Sequence, residues 1–129
     1  MTMPCPCGTD LDYPACCGLW HGGRPAPTAE ALMRSRYVAF VRRDLPYLTR
    51  TSHPFLRGKM SAKDMRNSFA LTWTGLEILG SRDGGPNDTT GMVHFRASFR
   101  QPNGQAGHHE ERSRFVRIDA EWLYRDGAG

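Results

Sequence analysis

No cysteine follows Cys17 in a chain of 129 residues. The four present all fall between positions 5 and 17, so disulfides among them would close only short loops and tie no distant elements together. No apolar run approaches the roughly 20 residues of a membrane-spanning helix. The segment from Met1 to Cys7 has neither the basic nor the apolar region of a secretion signal. A soluble, cytoplasmic protein with no membrane partner is the expectation. Basic residues nowhere form a long run, which argues against a dedicated nucleic-acid binder. There is also no Ser-His-Asp elbow, no glycine-rich phosphate loop and no His-Glu-x-x-His helix.

What is present suffices for one domain. Hydrophobic residues make up 39% of the chain and charged ones 23%, so a core can form and wholesale disorder is excluded. The formal charge is +4 with a pI near 9.1. Four thiolates around one divalent cation would remove half of that excess, leaving the chain only weakly basic.

The cysteines follow the pattern Cys5-x-Cys7, eight further residues, then Cys16-Cys17. Zn²⁺ takes four soft ligands tetrahedrally, and this spacing can wrap a chain around one ion, with Pro6, Gly8 and Pro14 suited to the tight turns. His21 is near enough to replace one thiolate, so all-cysteine and three-cysteine-plus-histidine sites are both open. The knuckle is expected to span 1–22 and to lose order on chelation while the body, 23–129, survives.

In the body, Thr28 reads as the N-cap of a helix running to about Arg42, with Glu30 in its first turn. Leu32, Met33, Tyr37, Phe40 and Val41 form its apolar stripe, and Arg36 sits inside that stripe. A second helix is expected over Asp44–Thr49, and a third, capped by Ser61, over Ala62–Ser68. From Trp73 the period changes to two. Leu76 and Ile78 mark a first strand, Ser81–Thr90 a loop, and Val93, Phe95, Ala97 and Phe99 the inner face of a second strand. His109, Glu111, Ser113 and Phe115 share one face of a third strand, and a fourth follows a tight turn near Asp119. Helices first and antiparallel strands afterwards predict an α+β fold with helices packed on one sheet face. Leu32, Met33, Tyr37, Phe40, Phe95, Phe99, Phe115 and Trp122 are the expected core.

Glu111 and Ser113 on the face of Phe115 would need buried polar partners. Candidates are Arg36, His53 and His109, together with Trp73, Trp122 and Tyr124. These eight residues are the expected pocket set, with Glu111 or His53 available as acid or base and Arg36 expected to pair with Glu111. His53, His109 and Glu111 together would also have the makings of a facial metal triad.

The cysteine cluster resembles the SEC-C motif, the zinc knuckle also found at the tail of the translocase ATPase SecA. The resemblance extends through Thr28–Tyr37, Tyr47-Leu48, His53-Pro54, Gly91–Phe95, Glu111–Phe115 and Trp122–Gly127 to the YchJ family of uncharacterised bacterial proteins. It implies a nuclear-transport-factor-like cone for the body, a curved antiparallel sheet packed on helices. Two departures stand out: many longer members carry a second cysteine cluster at the carboxyl end, and members tend to have Trp where this chain has Ser52. The resemblance also implies a non-enzymatic module whose knuckle offers Leu11, Tyr13, Leu19 and Trp20 to a protein partner. The alternative is a small-molecule binder or enzyme working through the pocket around Glu111 and His53.

Overall fold

The computed structural model describes residues 4–9, 11–57 and 67–128. A short 3-10 turn, Tyr13–Ala15, leads into α1, Cys17–His21; then come α2, Ala29–Arg42, α3, Leu45–Arg50, and α4, Pro54–Arg57. Four strands complete the chain: β1, Thr72–Asp83, β2, Thr90–Arg100, β3, Ala106–Ile118, and β4, Glu121–Ala128. They form an antiparallel meander in the order β1-β2-β3-β4. The expected α+β architecture, helices on one face of a curved sheet, is what the chain adopts.

Local chemistry sets the boundaries. The Thr28 hydroxyl accepts from the Ala31 amide at 3.0 Å and starts α2. Asp44 does the same for α3, accepting from the Tyr47 amide at 3.1 Å while Pro46 occupies the first turn, where its missing N–H costs nothing. Asp119 and Ala120 both have positive φ, 51° and 67°, a two-residue hairpin turn whose twist matches the flanking strands.

β1 is longer than its sequence pattern suggests. Register shifts after Trp73 and after Ile78 place extra residues at Thr74 and Leu79, which break the two-residue period while the strand continues to Asp83. The first loop is therefore shorter than the expected Ser81–Thr90. The helix expected over Ala62–Ser68 lies mostly outside the described residues; of it, Asn67 and Ser68 are helical.

α2 packs against β1, β2 and β4, and the main core joins Leu32, Met33 and Tyr37 to Phe95, Phe115 and Trp122. Cys5, Cys7 and Cys17 belong to the same cluster. Two expected core residues lie elsewhere. Phe40 packs into a smaller cluster around Tyr47 and Leu48, and Phe99 is half-buried against Trp73 with ring centroids 5.4 Å apart, because an open cavity occupies that end of the sheet.

Candidate metal knuckle and cavity

The knuckle closes by backbone bonds. The Cys5 amide donates to the Leu11 carbonyl at 2.8 Å and the Cys16 amide to the Tyr13 carbonyl at 3.0 Å, which brings both cysteine pairs to one point. All four Sγ atoms lie within 4.8 Å of one another, with Cys7 and Cys16 at 3.6 Å. Thiolates at about 2.3 Å around a tetrahedral ion would be roughly 3.8 Å apart, so this donor set fits a metal ion. A hydrogen bond from Cys17, opposed by burial, holds the Cys7 thiol down at about 4, while Cys17 is pushed up by its bond to Cys7 and by burial. Burial also pushes Cys5 up.

His21 is not a ligand. Its Nε2 lies 2.8 Å from the Ser35 carbonyl, which can only accept, so Nε2 carries the proton and Nδ1 accepts from the Tyr13 hydroxyl at 2.7 Å. Burial lowers its pKa and keeps it neutral. Arg34 ties the knuckle to α2 by donating to the Cys7 carbonyl at 2.6 Å, and Arg42 covers the Tyr13 ring at 4.5 Å. Of the four side chains expected to face a partner, Leu11 is 55% exposed, whereas Tyr13, Leu19 and Trp20 are half-buried.

Between α2 and the concave sheet face lies a cavity of about 420 Å³. It takes in six of the eight expected residues: Arg36, Trp73, His109, Glu111, Ser113 and Tyr124. The other two are elsewhere. Trp122 is fully buried in the core, its indole donating to the Pro27 carbonyl at 3.3 Å. His53 caps α4 instead: its Nδ1 accepts from the Phe55 amide at 3.0 Å, and its own amide donates to the Tyr124 carbonyl at 2.8 Å. The triad of His53, His109 and Glu111 does not form. Met33, Tyr37 and Phe95, expected in the core and buried there, also line the cavity, as do Phe40 and Phe99; sequence reasoning overlooked Leu71 and His108. For Phe99 the signal was available, since a large aromatic near the end of a strand has few elements left to cover it.

Glu111 and Arg36 form no direct ion pair; Tyr124 mediates between them. The Tyr124 hydroxyl donates to Glu111 Oε2 at 3.0 Å, and the Arg36 guanidinium lies 4.7 Å from the same ring's centroid. Burial disfavours the Glu111 charge, but hydrogen bonds from His109, Ser113 at 2.5 Å and Tyr124 outweigh it and hold the carboxyl below its ordinary pKa. His109, 3.4 Å from Oε1, is raised in turn by that bond. A Cβ at Gly127, opposite Ser113 in β4, would collide with the Glu111 carboxylate, so glycine leaves the space Glu111 needs. Arg36 is only 6% exposed; its Nη1 donates to the Leu48 carbonyl at 3.0 Å, Thr51 Oγ1 at 2.8 Å and Ser52 Oγ at 3.2 Å. Burial pushes its pKa down to about 10, which leaves it cationic at neutral pH.

A four-thiol knuckle able to hold a metal ion, fastened to a helix-backed antiparallel sheet, defines the class, a SEC-C motif on a nuclear-transport-factor-like (NTF2-like) body. Residues 28–127 match the family model described as "YchJ, middle NTF2-like domain", and the chain belongs to that family. A UPF0225 protein of Streptomyces coelicolor is 53% identical over 127 residues, covering 98% of this chain and 95% of its own. The solution structure of a SEC-C motif containing protein from Rhodopseudomonas palustris superposes with a TM-score of 0.88 at 35% identity, covering 98% of both chains. A crystal structure of a SEC-C motif containing protein from Psychrobacter arcticus gives 0.77 at 31% identity, covering 96% of this chain and 81% of that one.

Proposed function

We propose that this chain is a zinc-stabilised ligand-binding protein, in which the knuckle holds one Zn²⁺ as a structural ion and the cavity receives a small, largely apolar molecule. The observation that carries it is the 420 Å³ cavity itself, aromatic along its walls and polar at the end where Arg36 and Glu111 sit. That volume and lining suit a small-molecule site. Four thiolates fill the coordination sphere of zinc and leave no position for a substrate, so the ion supplies stability and not chemistry. Thiolate ligation also fits a reducing compartment such as the cytoplasm. An interaction module built on the knuckle draws less support, because two of its four expected contact residues, Tyr13 and Trp20, already pack against the core.

Two measurements test this. Elemental analysis of protein purified under reducing conditions should find one zinc per chain, and a metal-free protein with four freely titrating thiols would overturn the zinc assignment. A set of aromatic fragments, neutral and charged, should shift the Trp73 indole and Ala97 methyl resonances, and Ala97→Leu, which fills the cavity, should weaken every hit. Fragments that leave both resonances unmoved would overturn the cavity reading.

A further inference from the structure

Arg36 is held at one nitrogen and open along one edge. All three of its hydrogen bonds use Nη1, and Nε and Nη2 have no partner among the described residues. No side-chain nitrogen or oxygen among the described residues is both buried and unpartnered. The open edge therefore has access to the cavity that Arg36 lines.

That edge is the one that grips carboxylates. Elsewhere in this chain Arg114 uses Nε and Nη2 to hold both oxygens of Asp126, each at 2.6 Å. Arg96 turns the same two nitrogens on Glu110 at 3.3 and 3.0 Å. The Nε/Nη2 fork matches two carboxylate oxygens in one plane, and a buried cation gains most from such a partner because water no longer solvates it well. Resting on the reading of the cavity as a ligand site, we propose that its ligand is a small monocarboxylate with a flat apolar body, its carboxylate seated on the open edge of Arg36.

Charge selects within the anions. Glu111 takes its hydrogen bonds from Ser113, Tyr124 and His109 and none from Arg36, so the guanidinium has no anion bonded to it in a mostly apolar chamber. A singly charged carboxylate neutralises it. A phosphate dianion would carry a second charge close to Glu111 and would have only one arginine to meet it. The flat body follows from the walls: Trp73 stands 5.4 Å from Phe99, 6.0 Å from Phe40 and 6.3 Å from Tyr37, so aromatic faces and edges surround the space next to the polar end.

The test uses the full zinc-bound chain, isotope-labelled, titrated with trans-cinnamate, its uncharged amide cinnamamide, and phenyl phosphate. Cinnamate should move the Arg36 Nε–H and Trp73 indole resonances together and bind about tenfold tighter than either comparison probe. Arg36→Lys, whose ammonium offers no planar fork, should weaken cinnamate about tenfold and remove its advantage over cinnamamide. If that variant fails to fold, the three probes on the unaltered protein still decide. Equal binding of cinnamate and cinnamamide in the cavity, or cinnamate shifts confined to surface arginines, would overturn the carboxylate proposal while leaving the cavity reading standing. Failure of every charged and neutral fragment to enter would overturn the cavity reading itself.

Discussion

Glu111 keeps its charge in a half-buried position because three donors converge on it, and one of them, His109, is itself titratable, its pKa raised by that bond. The two partners contribute to stability over different ranges. Glu111, with its pKa lowered from the ordinary 4.5, adds stability that is complete above that value and lost as acid takes the pH through the lowered one. His109, raised from 6.5, adds stability that is complete below that value and lost as the pH rises through the raised one. The melting-temperature difference between the native chain and Glu111→Gln should therefore be greatest between about pH 4.5 and 6.5 and shrink on both sides. A difference that stays flat across that range and beyond it would show that His109 and Glu111 do not interact in solution. His109 is exposed over half its side chain, so the alkaline decline should be shallow and weakened by salt.

The element that best shows how backbone proximity builds this fold is the β1–β2 hairpin, whose turn end presses on the start of α2. The Ala29 amide donates to the Gly84 carbonyl at 2.9 Å, and a Cβ added at Gly91 would come within 2.5 Å of the Gly84 Cα. Backbone cannot step aside as a flexible side chain can, so Gly91→Ala should destabilise by about 1–3 kcal/mol. A denaturant midpoint unchanged from that of the native chain would refute the close packing. Period-two alternation made β2 and β3 legible down to the facing of single residues, and the stripe on α2 placed Arg36 inside. Legibility failed where a single residue's direction is set by tertiary contact. The bulges at Thr74 and Leu79 hid the length of β1, and α4 took His53 away from the pocket by using its ring as a cap. That Arg36 would bind hydroxyls and a carbonyl of α3 and its end instead of Glu111 could not be read from the spacing on either element, because it depends on how α3 lies across α2.

Across the whole molecule, the knuckle and the body share one core. Three cysteines pack in the cluster that holds Leu32, Phe115 and Trp122, and Arg34 and His21 bond across the seam. The expectation that chelation would disorder the knuckle alone changes accordingly. A strong chelator should lower the melting temperature of the entire chain in one transition seen equally by tryptophan fluorescence and far-ultraviolet dichroism. Two separated transitions, the upper one unmoved by chelator, would show that the body folds without the metal. The segment 51–53 has a further effect at this scale. It lies beside β4 as a short parallel bridge, with the Tyr124 amide donating to the Thr51 carbonyl and the Tyr124 carbonyl accepting from His53, each at 2.8 Å. A sheet grows, or aggregates, by recruiting a foreign strand along an unpaired edge, and at Tyr124 that edge is already taken. Among the described residues, recruitment is then left to the rest of that edge and to β1, where the two bulges set the backbone out of step with any straight incoming strand, which makes the meander a poor template for extension.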